Sequence, residues 1–162
     1  MTRATALVYT MNAGRGKWSR YVFPFSVDAF AQLGDDLYIR SGDRVLRVVE
    51  GLATDDVDGV ATGFPGIVQW PWLDMGAPGA TKMLEGFDLV ASGSPSVSVG
   101  YDQRIAGAFT TPYSVNPDTL PGGVIPLPVM GPSFALRVDF APGSNWSLQA
   151  ANLYVDDTKG QP

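Results

Sequence analysis

Residues 69–101 read QWPWLDMGAPGATKMLEGFDLVASGSPSVSVGY, and the order of residue types in this stretch decides the fold class. Val97, Val99 and Tyr101 alternate with Ser96, Ser98 and Gly100, the period of two that a pleated strand with one buried face requires. Residues 68–75 and 81–92 are two further strand candidates, separated by the turn residues Gly76, Pro78 and Gly79. Toward the C-terminus, Phe134, Leu136, Val138 and Phe140 alternate with Ala135, Arg137 and Asp139, again one face buried. A turn over 141–145 leads to Trp146, Leu148 and Ala150 as the expected hairpin partner. A phase shift at Ala151-Asn152, after which Leu153 and Val155 take over, predicts a β-bulge. Two sheets sharing these apolar rows would form a β-sandwich over residues 67–162.

The first 52 residues carry strand candidates at 5–9, 17–23, 36–40 and 44–49, with a further strand or edge at 27–33. Gly14 and Gly16, Gly34-Asp35-Asp36 and Ser41-Gly42-Asp43 supply the turns. The run KWSRYVFPF followed by AQLGDDLYIRSGDRVLRVV resembles one blade of a β-propeller, a four-stranded meander. A lone blade leaves both faces in water, whereas ordering each residue costs ~1–2 kcal/mol. Propellers solve this by stacking about four to eight blades. No second copy of the pattern is present, so the blade needs cover from the rest of the chain or from another subunit.

The composition narrows the function. Of 162 residues, 45% are hydrophobic and 17% charged, the balance of a folded globular chain. Gly 19 and Pro 13 suit short strands and tight turns, giving an all-β expectation. The formal net charge of -5 argues against a surface that grips phosphates, because nucleic-acid affinity comes mainly from Lys and Arg displacing counterions. With no Cys and no His, disulfides, thiolate catalysis, Cys-ligated metals and the commonest general base are excluded. No window approaches the ~18 uninterrupted apolar residues of a membrane span, and residues 1–10 lack a signal-peptide core. A soluble chain without a secretory address is expected.

Residues 53–66 carry Asp55, Asp56 and Asp58 among glycines and are expected to form an acidic connector. An EF-hand alignment fails, because Thr54 stands at the first ligand position and Pro65 at the twelfth. Residues 104–132 hold six prolines and Gly122-Gly123, a density that no central strand tolerates. The apolar residues Val124, Ile125, Leu127, Val129 and Met130 predict that this long loop lies against something, a neighbouring subunit ahead of simple packing on its own sandwich.

Candidate chemistry is sparse. Residues 76–82, GAPGATK, lack the contiguous Gly-Lys-Ser/Thr of a phosphate loop, so Lys82 is expected to be an exposed strand residue. Asp74, Glu85, Asp88, Asp102 and Asp139 are the carboxylate pool for a glycosidase, but no spacing pairs any two, and acids alternating with apolar residues normally face solvent. Trp18, Trp70, Trp72 and Trp146 suit core or interface anchors, and equally sugar-stacking platforms. Trp70-Pro71-Trp72 places two indoles on one face of an edge or crossover strand, with one available to a neighbour.

The tryptophan-rich strand, the GAP turn, the Lys-x-Leu strand, the blade-like run and the closing pair GPSFALRVDF and WSLQAANLYV together resemble the C-terminal part of the tail nozzle (tail tubular, packaged-DNA stabilisation) proteins of short-tailed bacteriophages. The resemblance implies a non-enzymatic virion component made in the host cytoplasm, without cofactors. It also implies a ring, commonly sixfold, beside adaptor or other tail proteins, through which genome DNA passes without specific binding. Trp70, Trp72, Val124, Ile125, Leu127, Val129 and Met130 are the expected interface residues. The chain is far shorter than a whole propeller, which points to a reduced tail component or a piece of a longer protein. The competing classes are a carbohydrate- or receptor-binding β-module and a polysaccharide-cleaving tail enzyme.

Overall fold

The computed structural model describes residues 4–12, 15–23, 25–49, 52–116 and 123–156. The chain divides into two compact units, Met1–Gly51 and Leu52–Pro162. Every regular element among the described residues is a strand, and every strand pairing is antiparallel.

In the first unit, β1 (Ala4–Asn12) pairs with β2 (Arg15–Phe23), and β3 (Ala29–Leu33), β4 (Asp36–Ser41) and β5 (Arg44–Val48) form a meander. The strand candidates therefore hold, but the four-stranded blade divides into a two-stranded and a three-stranded sheet among the described residues. The tight turns of the meander follow from Gly34 at φ 63° and Gly42 at φ 59°, left-handed positions that glycine adopts without a Cβ clash. The Gly42 amide also donates to Asp28 Oδ2 at 2.6 Å. One face of this sheet carries Phe30, Leu37, Ile39, Leu46 and Val48, and the other Leu33, Tyr38 and Val45. Ile39 is buried, whereas Leu33 and Val45 are 74% and 70% exposed and Phe30 and Val48 also reach solvent.

The second unit opens with β6 (Thr54–Val57) and β7 (Val60–Gly63). The expected acidic connector is thus a hairpin. Its turn is Asp58-Gly59, both at positive φ, the dipeptide a two-residue hairpin favours. Asp55 sits half-buried on it, and that burial raises its carboxyl above the ordinary range.

Seven further strands build two sheets. β8 (Gly66–Gln69), β10 (Ser96–Gly100), β11 (Tyr113–Ser114) and β13 (Ala135–Phe140) form one in the order β11-β10-β13-β8. β9 (Lys82–Ser92), β12 (Ile125–Gly131) and β14 (Ser147–Asp156) form the other in the order β12-β9-β14. Apart from β10 to β11, each connection from β8 to β14 carries the chain from one sheet to the other. The expected hairpin of β13 with β14 is therefore corrected. β13 pairs with β10 and β8, and β14 pairs with β9. The intervening turn, with Gly143 at φ 73°, is a crossover.

Both sheets supply one buried cluster. Leu84, Phe87 and Leu89 of β9 meet Val97 and Val99 of β10, together with Phe134 and Leu136, Val138 and Phe140 of β13. The alternation of residues 134–140 is realised, with Arg137 and Asp139 forming an ion pair on the other face at 2.7 Å. Packed against the cluster are Leu148, Ala151, Leu153 and Val155. The phase shift in β14 thus falls between Leu148 and Ala150, slightly earlier than expected, and a second shift lies between Tyr154 and Val155. Ala150 is exposed. Trp146 stacks flat on Phe140 at 4.3 Å, and a Cβ on Gly66 or Gly93 would strike it.

The proline-rich segment also departs from expectation. Its C-terminal end is β12, despite Pro126 and Pro128, because β12 lies at a sheet edge and its register breaks between Pro126 and Val129. An edge and a register break are the places where a missing N–H is tolerated. Ile125, Leu127 and Val129 pack on the chain's own core, whereas Val124 and Met130 are exposed.

Candidate functional site: a cleft beside Trp72

After β8 the chain leaves its sheet at Trp70-Pro71, where proline has no N–H for a ladder. Trp70 N–H still donates to Leu136 O at 2.9 Å, and Leu73 and Phe134 exchange a pair of hydrogen bonds. The two indoles part company. Trp70 packs against the core and lines a small apolar hollow with Leu73, Met75 and Leu153. Trp72 lines a different cleft of about 490 Å³, together with Asp74, Pro78, Gly79, Thr81, Asp102, Gln103, Arg104, Pro132 and Ser133.

The Trp72 indole lies over Gly100 and beside Phe109, whose ring centroid is 6.2 Å away. A Cβ on Gly100 would come within 2.6 Å of Trp72 Cη2, so this glycine makes room for the ring. Phe109 is held there by its bridge to Gly100, and Thr110 accepts the Val99 N–H at its hydroxyl.

One wall is the Gly-Pro loop. Asp74 Oδ1 accepts the Gly76 N–H at 2.9 Å, an Asx-turn. Turns at 74–77 and 77–80 follow, closed by Ala77 N–H to Asp74 O and Ala80 N–H to Ala77 O. Met75, Gly76 and Gly79 take positive φ. Lys82 then locks the loop. Expected on the surface, it is 2% exposed, and its ammonium donates to Ala77 O, Ala80 O and Pro132 O at 2.6, 2.9 and 3.1 Å. Those three acceptors match the three protons of an ammonium group, which is how a charged group is accommodated away from water.

The opposite wall is Asp102-Gln103-Arg104. Asp102 accepts from Arg104 Nε and Nη2, each at 2.9 Å, and from the Arg104 backbone N–H at 3.0 Å. The side-chain hydrogen bonds first, and the backbone one second, pull the Asp102 carboxyl down to about 2. Ser133 lies on the same lining, and its buried hydroxyl has no hydrogen-bond partner among the described residues.

The carboxylate pool is resolved by these bonds. Asp74 and Asp102, which no spacing pairs, line the same cleft. Asp88, expected to face solvent, is fully buried, accepting from Asn152 Nδ2 at 2.6 Å and Tyr154 Oη at 2.8 Å across the β9–β14 ladder. Asp139 is paired with Arg137, and Glu85 is exposed. A carboxyl held near 2 is ionised throughout the working range and cannot donate a proton to a leaving group. No group of three or more metal-ligating side chains occurs among the described residues.

Of the expected interface residues, Trp72 belongs to the cleft, Trp70, Ile125, Leu127 and Val129 pack on the core, and Val124 and Met130 stand in solvent. Sequence reasoning missed Lys82, Gln103, Arg104 and Ser133 as site residues. The Asp102-x-Arg104 spacing was the one readable signal. Comparison of the chain with protein families, curated proteins and solved structures finds no match.

Proposed function

We propose that this chain is a structural component of a bacteriophage tail, a nozzle-like ring protein whose copies surround the DNA channel and contribute to its closure. In this reading the first unit is a propeller-blade-like element and the second a β-sandwich, packed into a homo-oligomer, sixfold as the family resemblance implies, and joined to adaptor or tail proteins. The role is non-enzymatic and the location is the virion, after synthesis in the host cytoplasm.

The observation that carries it is the sheet of β3, β4 and β5, which places large apolar side chains in solvent on both faces: Phe30 and Val48 on one, Leu33 and Val45 on the other. Covering one such side chain fully gains about 1.5–3 kcal/mol, and a face on each side suits a ring in which every copy has two neighbours. The net charge of -5 favours passage of DNA without adhesion, because a negative wall repels phosphate.

Light scattering after size exclusion, followed by negative-stain microscopy of the same peak, tests the proposal. Rings with a central channel are expected. A monodisperse monomer at micromolar concentration overturns it.

A further inference from the structure

We propose that the cleft beside Trp72 is a binding site for a neutral oligosaccharide. The inference is independent of the ring, since all its residues belong to the second unit.

The cleft combines the two surfaces that a sugar presents. Sugar rings have apolar C–H faces that pack on an aromatic plane, and Trp72 offers such a plane, seated on Gly100 and flanked by Phe109. Their rims carry hydroxyls, each both donor and acceptor. Around the indole stand Asp74, Thr81, Gln103 and Arg104, and the side chains of Thr81 and Gln103 make no hydrogen bond to any described residue. Asp74 has one carboxylate oxygen committed to Gly76, leaving the other as an acceptor. Both walls carry their own hydrogen bonds before any ligand arrives, one through Lys82 and the other through the Asp102–Arg104 pair. Such preorganisation lowers the ordering cost of binding.

Charge selects among ligands. Two carboxylates and one guanidinium line the cleft, and the Lys82 ammonium bonded to the wall at Ala77, Ala80 and Pro132 balances the remaining negative charge. Phosphorylated, sulfated or acidic sugars and nucleotides therefore find no surplus positive charge there to hold them. A divalent cation is disfavoured too, because Asp102 is neutralised by Arg104. The volume of about 490 Å³ lies within the ~300–1,000 Å³ common for small-ligand sites.

The test is a glycan array probed with the full chain. It carries neutral hexose, deoxyhexose and N-acetylhexosamine oligosaccharides beside sialylated, uronate and phosphorylated ones, and the strongest neutral probe is then titrated by NMR. Saturable binding to a neutral probe is expected, with the Trp72 indole N–H shifting on titration. Gln103→Ala, an exposed position, and Trp72→Ala are expected to weaken it at least 10-fold, and Met130→Ser to leave it unchanged. Gln103→Ala keeps the test decisive if the tryptophan variant unfolds. Absence of binding to every neutral probe, binding confined to the anionic ones, or full affinity in Gln103→Ala overturns the proposal. A ring that binds no glycan sinks this inference alone, and a monomer that binds one sinks only the tail reading.

Discussion

Lys82, on β9, donates a hydrogen bond to the carbonyl of Pro132, 50 positions further along the chain, while its other two bonds close the loop just before it. One side chain therefore ties the Gly-Pro loop to the segment preceding β13. Lys82→Met retains the apolar stem and removes the charged donor. Hydrogen bonds to a charged group contribute about 1.5–3 kcal/mol net each, and removing the ammonium also removes the several kcal/mol that its desolvation costs, so a loss of about 2 kcal/mol is expected. Urea unfolding monitored by tryptophan fluorescence measures it, and an unchanged midpoint would show that the loop stands without its lysine.

Tyr154 donates to Asp88 Oδ2. This hydrogen bond, then desolvation and the negative charge of Asp88, raise the phenol above its ordinary value of 10.0. A raised folded value means that the bond's contribution is complete below pH 10 and is lost as pH rises through the folded value. Absorbance at 295 nm should show one tyrosine titrating late, and Asp88→Asn should return it toward the others.

The Asp102–Arg104 pair has the opposite sign. Its folded carboxyl lies at about 2 against an ordinary 3.8, so the stabilisation is present above 3.8 and disappears as pH falls toward 2. Carbon-13 NMR of the Asp102 carboxyl should give a midpoint near 2, moving up in Arg104→Gln. A midpoint already at the ordinary value would mean that the pair is not formed in solution.

Leu33→Ser with Val45→Thr makes one face of the β3–β5 sheet polar. Both residues are exposed, so the thermal transition of the second unit should stay within a degree or two, while assembly is lost. Light scattering resolves the two outcomes. Persistence of the full oligomer would assign the contact to another surface.

Period-two alternation was sufficient to locate most strands, because a one-sided core writes itself into every second residue, as at Phe134, Leu136, Val138 and Phe140. Pairing was not legible. Residues 134–140 and 147–155 look like a hairpin, since local sequence records where a turn is and not whether it returns to the same sheet. The proline rule correctly kept residues 126–128 out of a central strand but did not anticipate an edge. The pattern Trp70-Pro71-Trp72 makes at least one indole available without telling which, and it is local alternation that points Lys82 and Asp88 to solvent. One of the three Lys82 acceptors, Pro132, and the Asp88 donors Asn152 and Tyr154 lie 50 to 66 positions away, beyond the reach of any local pattern.

The shuttling of the chain between sheets bears on how the protein is made. Asp88 waits for Asn152, 64 positions later, and at roughly 5–20 residues per second of synthesis that wait lasts several seconds. During it the central ribbon of the smaller sheet has no neighbour on one flank. Such late, distant closure slows folding and leaves a nascent polypeptide open to mispairing, so chaperone capacity should limit yield more strongly than the finished molecule's stability does.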